Sequence, residues 1–299
     1  MSALLPSVGS ESDYVKIYTN KQIWLPAMRA LCQRHGLEPQ GLQRMGLGTH
    51  VAFRSGDSII KLFASPWADD YISESACLKH ITGLPVPELV AEGDLEGWPY
   101  IVMGAVPGTP AVEIWEELAL EDKRGIVEEL GRIMASLHAL PPLPGLGGDW
   151  NVFLQERLQN AEEHHDADEP WCAWINRRLA DFEPTPHAKV LLSADITEDH
   201  LLLSEENGRW RISGFIDFGD ARMGHPYYEF VAPLAFYTVG EPELSRLLVE
   251  SYGLDFSAGL AEELTTWCLL HEFGRLRDFT DRVPAQSPEA LFRALWGGV

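Results

Sequence analysis

The sequence predicts an α+β fold of two lobes: a small β-rich lobe over residues 1–105 and a larger helical lobe over residues 106–299. Three observations point there. At 299 residues the chain favours two lobes over one core. Its first hundred residues break into short apolar runs separated by glycine-containing turns, with helical stretches among them. From about residue 106 helical periodicity takes over, interrupted late by two apolar runs that each end in an aspartate.

Residues 14–36 place Ile23, Ala27, Ala30 and Leu31 at helical spacing, with Gly36 as a stop. "LQRMGLG", "HVAFRSG" and "SIIKLFA" read as short strands, the last two joined by a hairpin turn at residues 55–58. "DYISESACLKHITG" is a helix with Ile72, Ala76 and Ile81 on one side, and "PELVAEGD" and "PYIVMGAV" are two further strands. In the second lobe, "AVEIWEELALEDKRGIVEELGRIMASLHAL" reads as helix, turn, longer helix, closed by Pro141, Pro142 and Pro144. Helices follow around 151–163 and 170–182, then the two strand pairs, then helices from about 227 onward. A ligand would take the crevice where such lobes meet.

A net charge of -22 excludes nucleic acid as the natural partner and suits a cationic small molecule, steered in by the field. The cysteines, Cys32, Cys77, Cys172 and Cys268, are scattered, so neither a zinc site nor a disulfide framework is expected. No apolar run approaches the roughly 18 residues that span a bilayer, and no membrane association is expected. The N-terminal residues do not read as a signal peptide, which together with the cysteines suggests the cytoplasm.

Lys61 lies among Ile59, Ile60, Leu62 and Phe63 on a strand, either snorkelling to solvent or turned inward. If inward, it needs a counter-charge, and Glu74 on the next helix is the candidate; such a lysine suits phosphate oxygens. Gly46 and Gly48, just upstream, would let the backbone approach a triphosphate, or simply serve a hairpin. Asp195 and Asp217 each end an apolar run. They either cap turns or converge, with Asp217 as an oxygen ligand for magnesium and Asp195 as the group that orients a hydroxyl and accepts its proton.

This order of glycines, strand lysine, helix glutamate and two loop aspartates resembles the protein-kinase-like fold, and within it the aminoglycoside phosphotransferases. Their H-x-D-x-x-x-x-N loop corresponds to Ser193, Asp195 and His200, and their metal segment to "IDFGDARMGHP". "ELGRIMASLHAL" is similar to the helix that precedes the loop, and "IIKLF", "WPYIVM", "LRDFTD" and "LFRALWG" look like a hygromycin B phosphotransferase subgroup. The resemblance implies an enzyme that moves the γ-phosphate of ATP or GTP, with Mg2+, to a hydroxyl of an aminoglycoside, conferring resistance. Alternatives are a kinase for a choline-, amino-acid- or sugar-like metabolite, or a catalytically weak nucleotide-binding module.

On this reading the segment 102–106, with Met103 and Ala105, is the hinge whose backbone binds adenine. Asp217 with His200 would hold the metal, although imidazole replaces an amide oxygen poorly; His200 would otherwise bond Asp195 or a phosphate. Ser193, standing for the family's histidine, would brace the loop in part through its hydroxyl. Asp220, Glu229, Glu272, Asp278 and Asp281 join Asp195 as candidates for the substrate's amines; the last three form either that surface or a solvated face balanced by Arg275, Arg277 and Arg282. A monomer or small homo-oligomer is expected.

Overall fold

The structure, a computed structural model, describes residues 3–46 and 48–298. The chain divides into two compact units, Met1–Thr82 with Val86–Pro107, and Gly83–Pro85 with Gly108–Val299.

The N-terminal unit opens with α1 (Glu11–Tyr18) and α2 (Lys21–His35). The single helix expected here is two: the Asn20 side chain accepts from the N–H of Gln22 and starts a second helix. Gly36 ends that helix at φ 68°, a left-handed position that favours glycine. Five strands follow: β1 (Gln43–Arg44), β2 (Val51–Ser55), β3 (Ser58–Leu62), β4 (Leu89–Leu95) and β5 (Trp98–Gly104). They form one antiparallel sheet in the order β1-β2-β3-β5-β4. Ser55 pairs with Ser58, which leaves Gly56 and Asp57 as the hairpin turn.

Trp24, Leu31, Phe53, Ile60 and Val102 belong to this unit's core, where the Trp24 and Trp98 rings meet edge-on at 5.5 Å. The third helix, α3 (Ala68–His80), departs from its apolar pattern. Ile72 is 59% exposed, while Ser73, Glu74 and Cys77 face inward. Glu74 meets Lys61 on this inward side, with Cys77, Leu78 and Ile81 buried as well.

In the C-terminal unit β6 (Thr109–Pro110) precedes α4 (Ala111–Ile114), α5 (Leu120–His138), α6 (Trp150–His165) and α7 (Trp171–Leu179). Four short strands come next: β7 (Val190–Leu192), β8 (Leu201–Glu206), β9 (Arg209–Phe215) and β10 (Arg222–Gly224). The remaining helices are α8 (Val231–Pro233), α9 (Pro242–Tyr252), α10 (Ala258–Trp267), α11 (Leu276–Thr280) and α12 (Pro288–Trp296). Helices α5 and α9 approach at Gly131, where an added Cβ would lie 2.8 Å from the carbonyl oxygen of Leu248. Among the described residues no helix is long and apolar enough to cross a membrane.

Strand pairing brings the two aspartate loops together. β8 pairs with β9 from Leu201 opposite Phe215, and the N–H of Ile216 donates to the carbonyl of His200 at 3.0 Å. β7 pairs with β10, Leu192 opposite Arg222. The loop from 193 to 200 and the loop from 216 to 221 therefore leave their ladders at the same end.

Candidate active site

In the N-terminal unit Lys61 is buried on β3, and its Nζ lies 2.6 Å from Glu74 Oε2. Both side chains are nearly inaccessible, at 8% and 2% exposure, so each charge depends on the other. Gly46 and Gly48 are exposed, and a Cβ on either would meet nothing within 4 Å. Neither φ is left-handed, so the fold itself does not require glycine at these positions. The Gly48 N–H donates to the hydroxyl of Tyr18 at 2.9 Å. Met103 is buried in the sheet opposite Ile59. At Ala105 the N–H donates to the carbonyl of Asp57 at 2.8 Å.

In the C-terminal unit Asp195 and Asp217 converge on one imidazole. His200 Nδ1 donates to the Asp195 carbonyl at 2.8 Å and lies 3.2 Å from Asp195 Oδ2, while Nε2 lies 3.9 Å from Asp217 Oδ2. Burial works against a charged ring here, but the bond to Asp195 and the charges of Asp217 and Asp195 outweigh it. They raise the imidazole to about 9. Asp217 sits at φ 66° and Ala194 at φ 67°, left-handed positions that cost a side-chain-bearing residue energy and gather at functional sites.

The loop is held on all sides. Buried Glu229 accepts from the N–H groups of Ser193 and Ala194 at 2.8 and 2.9 Å. Behind it, His138 bridges Glu229 at 3.3 Å and the Tyr252 hydroxyl at 2.8 Å. Tyr237 donates to the Thr197 carbonyl at 2.7 Å, and Arg282 pairs with Glu198 at 2.8 Å. His271 Nε2 donates to the Ala194 carbonyl at 3.0 Å. Ser193 does not brace the loop as expected, because its buried hydroxyl has no hydrogen-bond partner among the described residues.

Three of the expected amine-binding carboxylates are engaged by other groups of the chain. Glu229 is 2% exposed and spent on the loop backbone, so it lines no substrate surface. Glu272 pairs with Arg222 at 2.8 Å, and that guanidinium stacks 3.9 Å over the Phe153 ring. Asp278 accepts from the Arg275 N–H at 2.7 Å, capping α11. Asp220 is half-buried beside Asp217, and Asp281 is exposed at the end of α11. Sequence reasoning missed Glu229, His138 and Tyr237 as holders of the loop; the stretch "ELGRIMASLHAL" includes His138 but does not reveal its partner.

Among the described residues no three His, Cys, Asp or Glu side chains cluster to hold a metal ion unaided. Magnesium commonly takes one or two carboxylates and completes its shell with phosphate oxygens and water, and Asp217 fits that kind of shared ion. His200, hydrogen-bonded to Asp195, fits it less well.

A profile of the phosphotransferase enzyme family (APH) matches residues 47–264. Among curated proteins the chain is 26% identical over 209 residues to an aminoglycoside 3'-phosphotransferase of Streptomyces fradiae, covering 65% of this chain and 75% of that one. It is 20% identical to the lysine-specific demethylase JMJ21 of Arabidopsis thaliana, of whose length it spans 30%. The fold is similar to that of aminoglycoside 2'-phosphotransferase-IIIa with GDP, with a TM-score of 0.66 at 20% identity over 84% of this chain and 88% of that one. A second similar structure, APH(2")-IIia with GDP and kanamycin, has a TM-score of 0.62 at 22% identity over 77% and 82% of the two chains. With most of its length matched by one profile and its fold shared, the chain belongs to the phosphotransferase enzyme family.

Proposed function

We propose that the protein transfers the γ-phosphoryl group of a nucleoside triphosphate to a hydroxyl of an aminoglycoside, with hygromycin B-like compounds foremost. The convergence of Asp195 and Asp217 on His200 carries the reading, because phosphoryl transfer needs one carboxylate for the acceptor hydroxyl and one for the cation. Asp195 would align that hydroxyl and accept its proton. Asp217 would hold magnesium, which neutralises charge building on the phosphates. Lys61, its ammonium fixed by Glu74, would clamp phosphate oxygens, and the open Gly46 and Gly48 would admit them close to the backbone. The acidic chain suits a polyamine substrate, and the names of the curated relative and the solved structures support the same class.

The engagement of Glu272 by Arg222 and of Asp278 by a helix end favours a second reading, a hydroxyl substrate with fewer amines, choline-, amino-acid- or sugar-like. Incubation with magnesium and ATP or GTP, against a panel of aminoglycosides including hygromycin B and such metabolites, separates the two. Mass spectrometry should find one added phosphate on an aminoglycoside, lost about 10³-fold in Asp195→Ala with nucleotide affinity unchanged. Transfer only to a metabolite establishes the second reading, and undiminished transfer by Asp195→Ala overturns the role given to that residue.

A further inference from the structure

We propose that His271 is a positioning residue for Asp195, supplying from a distant segment the imidazole brace that position 193 does not. The inference rests on the reading of Asp195 as the group that aligns the acceptor hydroxyl.

The Ala194 carbonyl belongs to the same peptide plane as the Asp195 N–H, so a donor that fixes this oxygen fixes the plane from which the Asp195 side chain departs. His271 Nε2 is that donor, at 3.0 Å. Glu229 holds the two preceding planes through the N–H groups of Ser193 and Ala194, and His200 holds the following one through the Asp195 carbonyl. Four successive planes are thus pinned, and the His271 bond restrains the only one that lies between the left-handed Ala194 and Asp195. Nearby Ser193, wholly buried, leaves its hydroxyl without a partner among the described residues.

The ring itself is fixed from two further directions. Its Nδ1 accepts from the N–H groups of Gly274 at 2.9 Å and Phe273 at 3.3 Å, which assigns the proton to Nε2. It stacks on Tyr228 with centroids 4.9 Å apart and planes 13° from parallel. Burial holds the imidazole down at about 4, so the donating tautomer persists across the working pH range. A histidine placed only for packing would not need this division of labour between its nitrogens.

That division supplies the test. In His271→Asn the amide oxygen replaces Nδ1 and keeps the turn at 273–274, but nothing reaches Ala194. In His271→Gln the amide nitrogen reaches Ala194, and the turn loses its acceptor. Thermal melts, nucleotide affinity by calorimetry, and kcat and KM should be measured on both full-length variants. We expect kcat about 10- to 100-fold lower in His271→Asn, with KM and nucleotide affinity unchanged, and kcat within about threefold of wild type in His271→Gln, whichever variant melts lower. Losses of kcat that follow melting temperature, or equal losses in both variants, overturn the proposal. Should Asp195→Ala retain full activity, the reading beneath it fails instead, which is a separate result.

Discussion

The two units hold their candidate reactive groups in opposite ways. In the N-terminal unit Lys61 is fixed by Glu74, thirteen residues away, and the pair is closed off from water. In the C-terminal unit the loop from 193 to 200 is fixed by Glu229, Tyr237, His271 and Arg282, which lie 35 to 84 residues from their partners. One arrangement is a buried ion pair. The other is a backbone held by several distant partners, which would suit the orienting role proposed for Asp195, where displacement of about 1 Å costs on the order of 10² in rate.

Because the lysine pair is buried, breaking it should have the largest effect on stability. Lys61→Met leaves Glu74 charged and buried, and should cost about 3–5 kcal/mol in urea unfolding. The double change Lys61→Met with Glu74→Leu should recover most of that, because no buried charge remains. A double variant as unstable as the single one would show that the loss does not come from an uncompensated buried charge, and the contrast between the units would break.

Mild acid should sharpen the contrast from the other side. His165 donates from Nε2 to the Leu269 carbonyl at 3.0 Å and accepts at Nδ1 from the Leu276 N–H at 3.1 Å, tying down the segment that carries His271. Burial holds both imidazoles at about 4. In the unfolded chain they charge near 6.5, so their contribution is complete above that pH and declines as pH falls toward 4. By pH 5 the loss is about 2 kcal/mol for each ring. Replacing His165 by Gln should flatten the fall in stability between pH 7 and 5 by about that amount, and an unchanged profile would show that the ring already takes a proton in the fold.

The same contrast explains what could be read from the sequence. Asp195 and Asp217 were legible because each ends an apolar run, and Lys61 because a lone charge stands in a strand whose helical neighbour offers Glu74. The sheet and its hairpin turn were legible from turn chemistry. Glu229 was misassigned to the substrate, and the Ser193 hydroxyl was expected to brace a loop that it does not bond. Those contacts depend on which distant segments the tertiary fold brings together, and neither hydrophobic period nor local motif encodes that. Ile72 is exposed while Glu74 on the same helix is buried against Lys61, a pairing that the apolar period of α3 does not encode.

The central claim, that Asp195 and Asp217 act on one phosphoryl group, is tested most directly by single-turnover transfer in Asp195→Asn, Asp217→Asn and the double variant. Residues that act as a unit lose little more together than the worse of the two loses alone, and the account predicts that result. Losses that multiply, as for two independent sites, would contradict it.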